Sequence, residues 1–356
     1  MTTEFVWQLP VSGDGRYGEA ARTRRGERAG PAHPYSPGVT DPRGQRFNFF
    51  DHLHQVARAA DLAGFDGIRI PEDPFGDEPW IVAGYVARGT RRLRLITEFA
   101  ASRGSAVYAA KNAASFQRFT AGRFAWQIHS GGTAAARRVL GDFAGDEAVL
   151  PRIEEFVTVA RGVLTEAPYS FKGEHFEVLD GGFRGALSGQ LVPPVYLSGA
   201  SEAALRLSAR VADVHVFDAA SPPEIRAAIT RLRALARESG RSVVAGLRID
   251  LVARETEAEA IRDAHRYREQ AGQETEAPAS TGAGLWQGLN RRGTGAAATL
   301  VGSYQQVTEA LVDYSGAGVD SFLLSAVPHL EEAYRIGEHL LPAVRSRIDP
   351  EHRRVA

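Results

Sequence analysis

The feature that most narrows the fold is an alternation. Short apolar runs of strand length and amphipathic segments of helix length succeed one another along nearly all of the 356 residues. The strand-like runs are 4–9, 65–71, 93–100, 124–129, 192–197, 214–217, 243–252 and 321–324. Helical periodicity is clearest at Phe50, Leu53, Val56, Ala60 and Ala63, three and four residues apart, with Gly64 as the expected left-handed stop. A helix between two strands forces parallel pairing. Eight such units in one chain are the signature of an α/β (β/α)8 TIM barrel, here a single domain over 1–356. A doubly wound open sheet competes, but it needs a Gly-rich phosphate turn that opens a helix after the first strand. Here the first strand leads into VSGDGRYGEA, with no helical pattern behind it.

One stretch breaks the alternation. YSFKGEHFEVL, residues 169–179, reads as a hairpin around Lys172-Gly173. Two long segments lack any period: 16–46 after the first strand, and a Gly-, Ala- and Thr-rich segment after the seventh. The second, over 271–296, is read as a strandless mobile lid insertion.

Composition then excludes whole classes of chemistry. There is no cysteine, and the one methionine is Met1. Disulfides, thiolate metal sites and a cysteine nucleophile are therefore ruled out. The histidines show no metal-binding spacing, and no G-x-S-x-G elbow is present. Lys+Arg is 42 against Asp+Glu 43, which argues against a nucleic-acid partner. No apolar run approaches the roughly 20 residues that span a bilayer. The first residues lack a basic and then apolar leader, so the expected localisation is cytoplasmic.

In a barrel, chemistry sits at the carboxyl ends of the strands. There, Ser198, Gly199, Ala200 and Ser201 form a small-residue turn running from strand into helix. It suits a phosphate on free N–H groups, or a plain N-cap by Ser201. Ser130-Gly131-Gly132-Thr133 is a second small turn, either an anion nest or a flexible connection. Arg248 interrupts an apolar strand and shares its face with Asp250, as a structural ion pair or as an anion-binding group. Arg291 and Arg292 lie on the lid, where they are solvated or close on an anionic substrate. His329 comes after the eighth strand.

These strand ends resemble a known family. VWQLPVSGDGRY (6–17), the helix and strand over 57–83, PPVYLSGASEAALRLSARVAD (193–213), and the two stretches 285–304 and 318–342 are similar to the bacterial-luciferase-like flavin monooxygenases, specifically the alkanesulfonate branch. The resemblance implies reduced FMN (FMNH2), an NAD(P)H-dependent flavin reductase as partner, O2 as oxidant, and a homo-oligomer. It implies cleavage of a small sulfonate to sulfite. By match, Arg248 would contact the anionic group, and residues 198–201 would hold the FMN phosphate. Gln127 and Ser130 would stand near the flavin, with Trp7 packed beside it. His329 and Asp250 would tune proton transfer, and Arg291 or Arg292 would close on the substrate.

Several positions depart from the family's pattern. Its Cys falls on Gly76, its His on Asp250, its Tyr on Val327 and its first-loop His on Ser12, and an Arg-Tyr pair is replaced around Val149 and Leu150. Two alternatives stay open: an F420- or flavin-dependent oxidoreductase or oxygenase acting on a non-sulfonate, and a degenerate flavin-binding barrel. The near-absence of sulfur is consistent with an enzyme of sulfur acquisition.

Overall fold

The computed structural model describes residues 3–12, 49–270, 284–287 and 298–348. In chain order the elements are β1 (Glu4–Gln8), α1 (Phe49–Leu62), β2 (Gly67–Ile70), α2 (Pro79–Ala87), β3 (Arg94–Ala100), α3 (Ala106–Thr120), β4 (Phe124–His129), α4 (Ala134–Val139), α5 (Asp146–Thr165), β5 (Tyr169–Lys172), β6 (Glu177–Gly181) and β7 (Val195–Ser198). They continue with α6 (Glu202–Val211), β8 (Val214–Asp218), α7 (Pro222–Glu238), β9 (Val244–Arg254), α8 (Glu257–Gln270), β10 (Leu285–Gln287), β11 (Ala298–Ser303), α9 (Tyr304–Ala317), β12 (Ser321–Ser325), α10 (His329–His339) and α11 (Leu341–Ile348). The fold is the expected α/β class, a closed eight-stranded parallel barrel with surrounding helices. By contacts the chain divides into two units: residues 1–93, 218–229 and 246–356, and residues 94–217 and 230–245.

In the first unit β1 lies between β12 and β2, all parallel, with Trp7 opposite Leu324 on one side and Ile68 on the other. β12 pairs β9 in parallel, and β9 pairs β11. These strands are covered on both faces, so they read as continuous apolar runs rather than alternations. Helix α1 buries Leu53, Val56, Ala57 and Ala60. Gly64 does follow it at φ +85, a left-handed conformation glycine adopts without strain. Helix α9 opens with a capping box: the Ser303 hydroxyl accepts from Gln306 N, and Gln306 Oε1 accepts from Ser303 N.

The expected strandless lid is corrected in part. Leu285–Gln287 is a strand, paired antiparallel with β11. Trp286 anchors it, buried with Val252, Ala260, Ala264 and Val301. Apolar burial outweighs the weak local strand signal here. Most of 271–296, and all of the 16–46 loop, lie outside the described residues.

In the second unit β3, β4, β7 and β8 pair in parallel in that order. Phe99, Trp126 and Phe156 pack edge to face between them and α5. The hairpin forms as β5 and β6, and its turn is tied down by one carboxylate. Glu155 accepts the backbone N–H groups of Glu174, His175 and Phe176 at 2.8, 2.8 and 3.1 Å. Among the described residues, no helix is long and apolar enough to cross a membrane.

Candidate active site

In the first unit the strand ends place Arg248 differently from the ion pair with Asp250 that strand parity suggested. The Arg248 guanidinium reaches Asp218, the last residue of β8, donating from Nε at 3.0 Å and from Nη2 at 2.6 Å to the same oxygen. The Asp218 side chain is half exposed and that of Arg248 mostly covered. Asp250 is buried and stands opposite Ser325 in the sheet register. The Ser325 hydroxyl lies 3.3 Å from His329 Nε2. His329, itself buried, meets the Trp7 ring edge-on with centroids 6.3 Å apart. Register and contact thus bring Asp250, Ser325, His329 and Trp7 into one neighbourhood. The Trp7 indole N–H is buried and finds no hydrogen-bond partner among the described residues.

At the position where the family pattern has a cysteine, Gly76 sits in a tight turn. Its N–H donates to Asp73 O at 3.0 Å, and a β-carbon there would come within 2.8 Å of Asp73 Cβ. Ser12 is exposed, and Val149 is buried in α5. Arg291 and Arg292 lie outside the described residues.

In the second unit Gln127 is buried on β4. Its Nε2 donates to Glu98 Oε1 at 3.3 Å across the β3–β4 register. The turn after β4 is largely self-satisfied. Gly131 N donates to His129 Nδ1 at 2.9 Å, and the buried Arg137 donates to Gly132 O at 2.9 Å. Thr133 caps α4, and Ser130 is exposed. Gly131 and Gly132 both have φ near +80, so this turn requires glycine twice.

Residues 198–201 run from β7 into the ten-residue helix α6. Ser201 caps that helix, its Oγ accepting from Ala204 N at 3.1 Å. Gly199 adopts φ +138, and a β-carbon on it would meet Ala204 Cβ at 2.8 Å. Gly199, Ala200 and Ser201 are exposed. The first helical residue, Glu202, is neutralised by Arg231 of α7 and by Arg206 at 2.9 Å. The Arg231 hydrogen bond, then charge from both arginines, holds its carboxyl below the usual range. Two cations thus surround one carboxylate beside a small, exposed helix start, which favours an anion there.

Two contributors escape a reading of the sequence. Asp218 is visible as a strand end but not as the partner of Arg248. Ser325 carries no local signal. Among the described residues, no group of three or more His, Asp or Glu is placed to hold a metal ion.

The chain is similar in fold to several solved proteins. An EDTA monooxygenase from Chelativorans sp. BNC1 superimposes with a TM-score of 0.73 at 18% identity, covering 98% of this chain and 94% of that one. A riboflavin lyase, solved with modified FMN and riboflavin, gives 0.73 at 17% identity, covering 98% and 92%. An F420-dependent secondary alcohol dehydrogenase gives 0.68 at 14% identity, covering 97% and 99%. At these identities the likeness is one of fold, and the named substrates differ widely. The family profile is more specific, matching residues 29–321 as luciferase-like monooxygenase. Over that span, more than half of its length, the chain belongs to the luciferase-like monooxygenase family.

Proposed function

We propose that this chain is the oxygenase of a two-component system. A flavin reductase supplies reduced FMN, and the oxygenase cleaves the C–S bond of a small sulfonate or related organosulfur compound. One atom of O2 ends in the carbonyl product and the other in water, and sulfite leaves. The reduced flavin, when bound, supplies the electrons that activate O2. The barrel binds, orients and excludes water.

The observation that carries this reading is the state of Arg248. Its Nε–Nη2 edge is held by a single oxygen of a half-exposed carboxylate. A sulfonate oxygen can take the place of Asp218 on that edge, because an exposed ion pair in water is worth little. The 198–201 turn suits the FMN phosphate: its residues are small, 199–201 are exposed, and Glu202 is neutralised by two arginines. Gln127 and Ser130 are assigned to the cofactor. Trp7, Arg291 and Arg292 are assigned to the substrate, and Asp250 and His329 to holding or moving a proton.

A second reading keeps the fold. Asp218 already balances Arg248, and that arrangement also accommodates an uncharged substrate or an F420-dependent reaction. Turnover decides between them. With reduced FMN and O2, sulfite release from short alkanesulfonates is expected. Turnover only with reduced F420 in the absence of O2 would overturn the monooxygenase reading. Oxygen consumption coupled only to uncharged sulfones or sulfides would overturn the sulfonate.

A further inference from the structure

Two buried polar side chains of the first unit take no part in the chemistry assigned above. Gln8 and Arg69, at the carboxyl ends of β1 and β2, are 4% and 3% exposed. They stand opposite each other in the register, and Arg69 Nη1 donates to Gln8 Oε1 at 2.5 Å. Their neighbours along the chain, Trp7, Leu9, Ile68 and Ile70, are buried and apolar.

The register fixes the face that the pair occupies. Paired residues of parallel strands project to the same side of the sheet, and side chains two residues apart share a face. Arg248 pairs with Leu323, Leu323 with Val6, and Val6 with Gly67. Two residues further along these strands come Asp250, Ser325, Gln8 and Arg69. They form one polar row across the adjacent strands β9, β12, β1 and β2, on the face that carries Arg248. The other face of β1 carries Phe5, and Arg345 of the outer helix α11 lies 5.3 Å from its ring centroid. The polar row therefore lines the inner side of this wall, at the strand ends where barrels place their chemistry.

Strands about 4.8 Å apart put β2 about 14 Å from β9 along the wall. Arg248 and Arg69 stand at the two ends of that arc, which suits a short molecule with an acidic group at each end. A guanidinium carries five donors in a fixed fork that matches the oxygens of an oxyanion. Gln8 Oε1 accepts from one of these donors and so fixes the direction of the group. An alkyl chain laid against the row would bury amide and guanidinium groups against hydrocarbon, which is costly. An anionic group in the same place meets charge-assisted hydrogen bonds instead.

We propose that Arg69, oriented by Gln8, is a specificity-determining residue that binds a second anionic group of the substrate, a carboxylate a few carbons away from the sulfonate. This rests on the reading of Arg248 as the sulfonate contact. The enzyme then prefers short dianionic sulfonates to sulfonates with a plain hydrocarbon tail.

The probes are 3-sulfopropanoate and propane-1-sulfonate, which differ at one end only, a carboxylate against a methyl group. Their dissociation constants for the full-length protein are measured by calorimetry, and sulfite release with reduced FMN and O2 is followed beside them. The wild type is expected to bind 3-sulfopropanoate about tenfold more tightly, the worth of hydrogen bonds to a charged group. In Arg69→Leu that ratio is expected to fall to near one. In Arg69→Lys, which keeps the charge but not the fork, it is expected to fall only in part. Arg248→Ala is expected to weaken both probes and to leave the ratio in place. A wild type that binds 3-sulfopropanoate no more tightly, or a ratio that survives in Arg69→Leu, overturns the proposal. If Arg69→Leu does not fold, Gln8→Leu decides by the same ratio: a few-fold fall supports the proposal, and an unchanged ratio overturns it. A ratio that depends on Arg69, with no sulfite from either probe, overturns the sulfonate cleavage and leaves the assignment of Arg69 standing.

Discussion

Arg248 donates from both Nε and Nη2 to the same oxygen of Asp218, at 3.0 and 2.6 Å. The carboxylate is half exposed, so the pair contributes little to stability but sets the charge that an incoming substrate meets. Asp218→Asn removes that competition. The expected result is a KM for a short alkanesulfonate lowered roughly three- to tenfold, with the thermal midpoint nearly unchanged. Arg248→Ala is expected to abolish sulfonate turnover while leaving the affinity for reduced FMN intact. A raised KM in Asp218→Asn would mean that Asp218 helps to hold substrate rather than competing with it.

Gly199 is the backbone position on which the small turn depends. Its φ of +138 is open to glycine alone, and an added β-carbon would press on Ala204 Cβ at 2.8 Å. Gly199→Ala should cost on the order of 1–3 kcal/mol and should weaken reduced-FMN binding. Gly240, at φ +64 with open space where a β-carbon would stand, is the control. Asparagine tolerates that region, so Gly240→Asn should cost less than about 1 kcal/mol. Urea unfolding of the two variants compares them. Equal losses would show that the turn at Gly199 relaxes freely.

Much of the architecture is legible in the sequence because buried parallel strands announce themselves as largely apolar runs, such as 124–129 or 321–324. The antiparallel addition of β10 is not. Three residues within a Gly-, Ala- and Thr-rich segment carry too little pattern, and only Trp286 hints at burial. Helix α5 begins at Asp146, seven residues before the periodic run at Ile153, because Pro151 near its start hides the first turns. At the site, sequence spacing draws attention to Asp250 as the neighbour of Arg248. The partner that Arg248 takes is 30 residues away, at the end of β8.

The Trp286 side chain fastens β10 to its unit through apolar contact with Val252, Ala260, Ala264 and Val301. Removing an indole from such a site forfeits transfer energy and leaves a cavity. Trp286→Ala should cost about 3–5 kcal/mol, read as a lowered urea midpoint, whereas Trp286→Phe should retain most of the stability. A loss below about 1 kcal/mol for the alanine variant would show that the strand adds little to the folded state.

Asp142 supplies a pH signature independent of the flavin. Arg152 grips both its oxygens, at 3.0 and 2.5 Å, and Ala144 N donates to it at 3.2 Å. The hydrogen bonds from Arg152, against the opposing effect of burial, bring its pKa from 3.8 down to about 2. A carboxylate depressed in the folded state stabilises the protein above its unfolded pKa, and the contribution is lost as pH falls through the folded value. Asp142→Asn should therefore be less stable than the wild type by roughly 2 kcal/mol at pH 7. The gap should begin to narrow below pH 3.8 and should close near pH 2. Urea denaturation at pH 7, 4 and 2.5 measures it. A gap that stays constant across that range would assign the loss to the altered hydrogen bonds rather than to the charge.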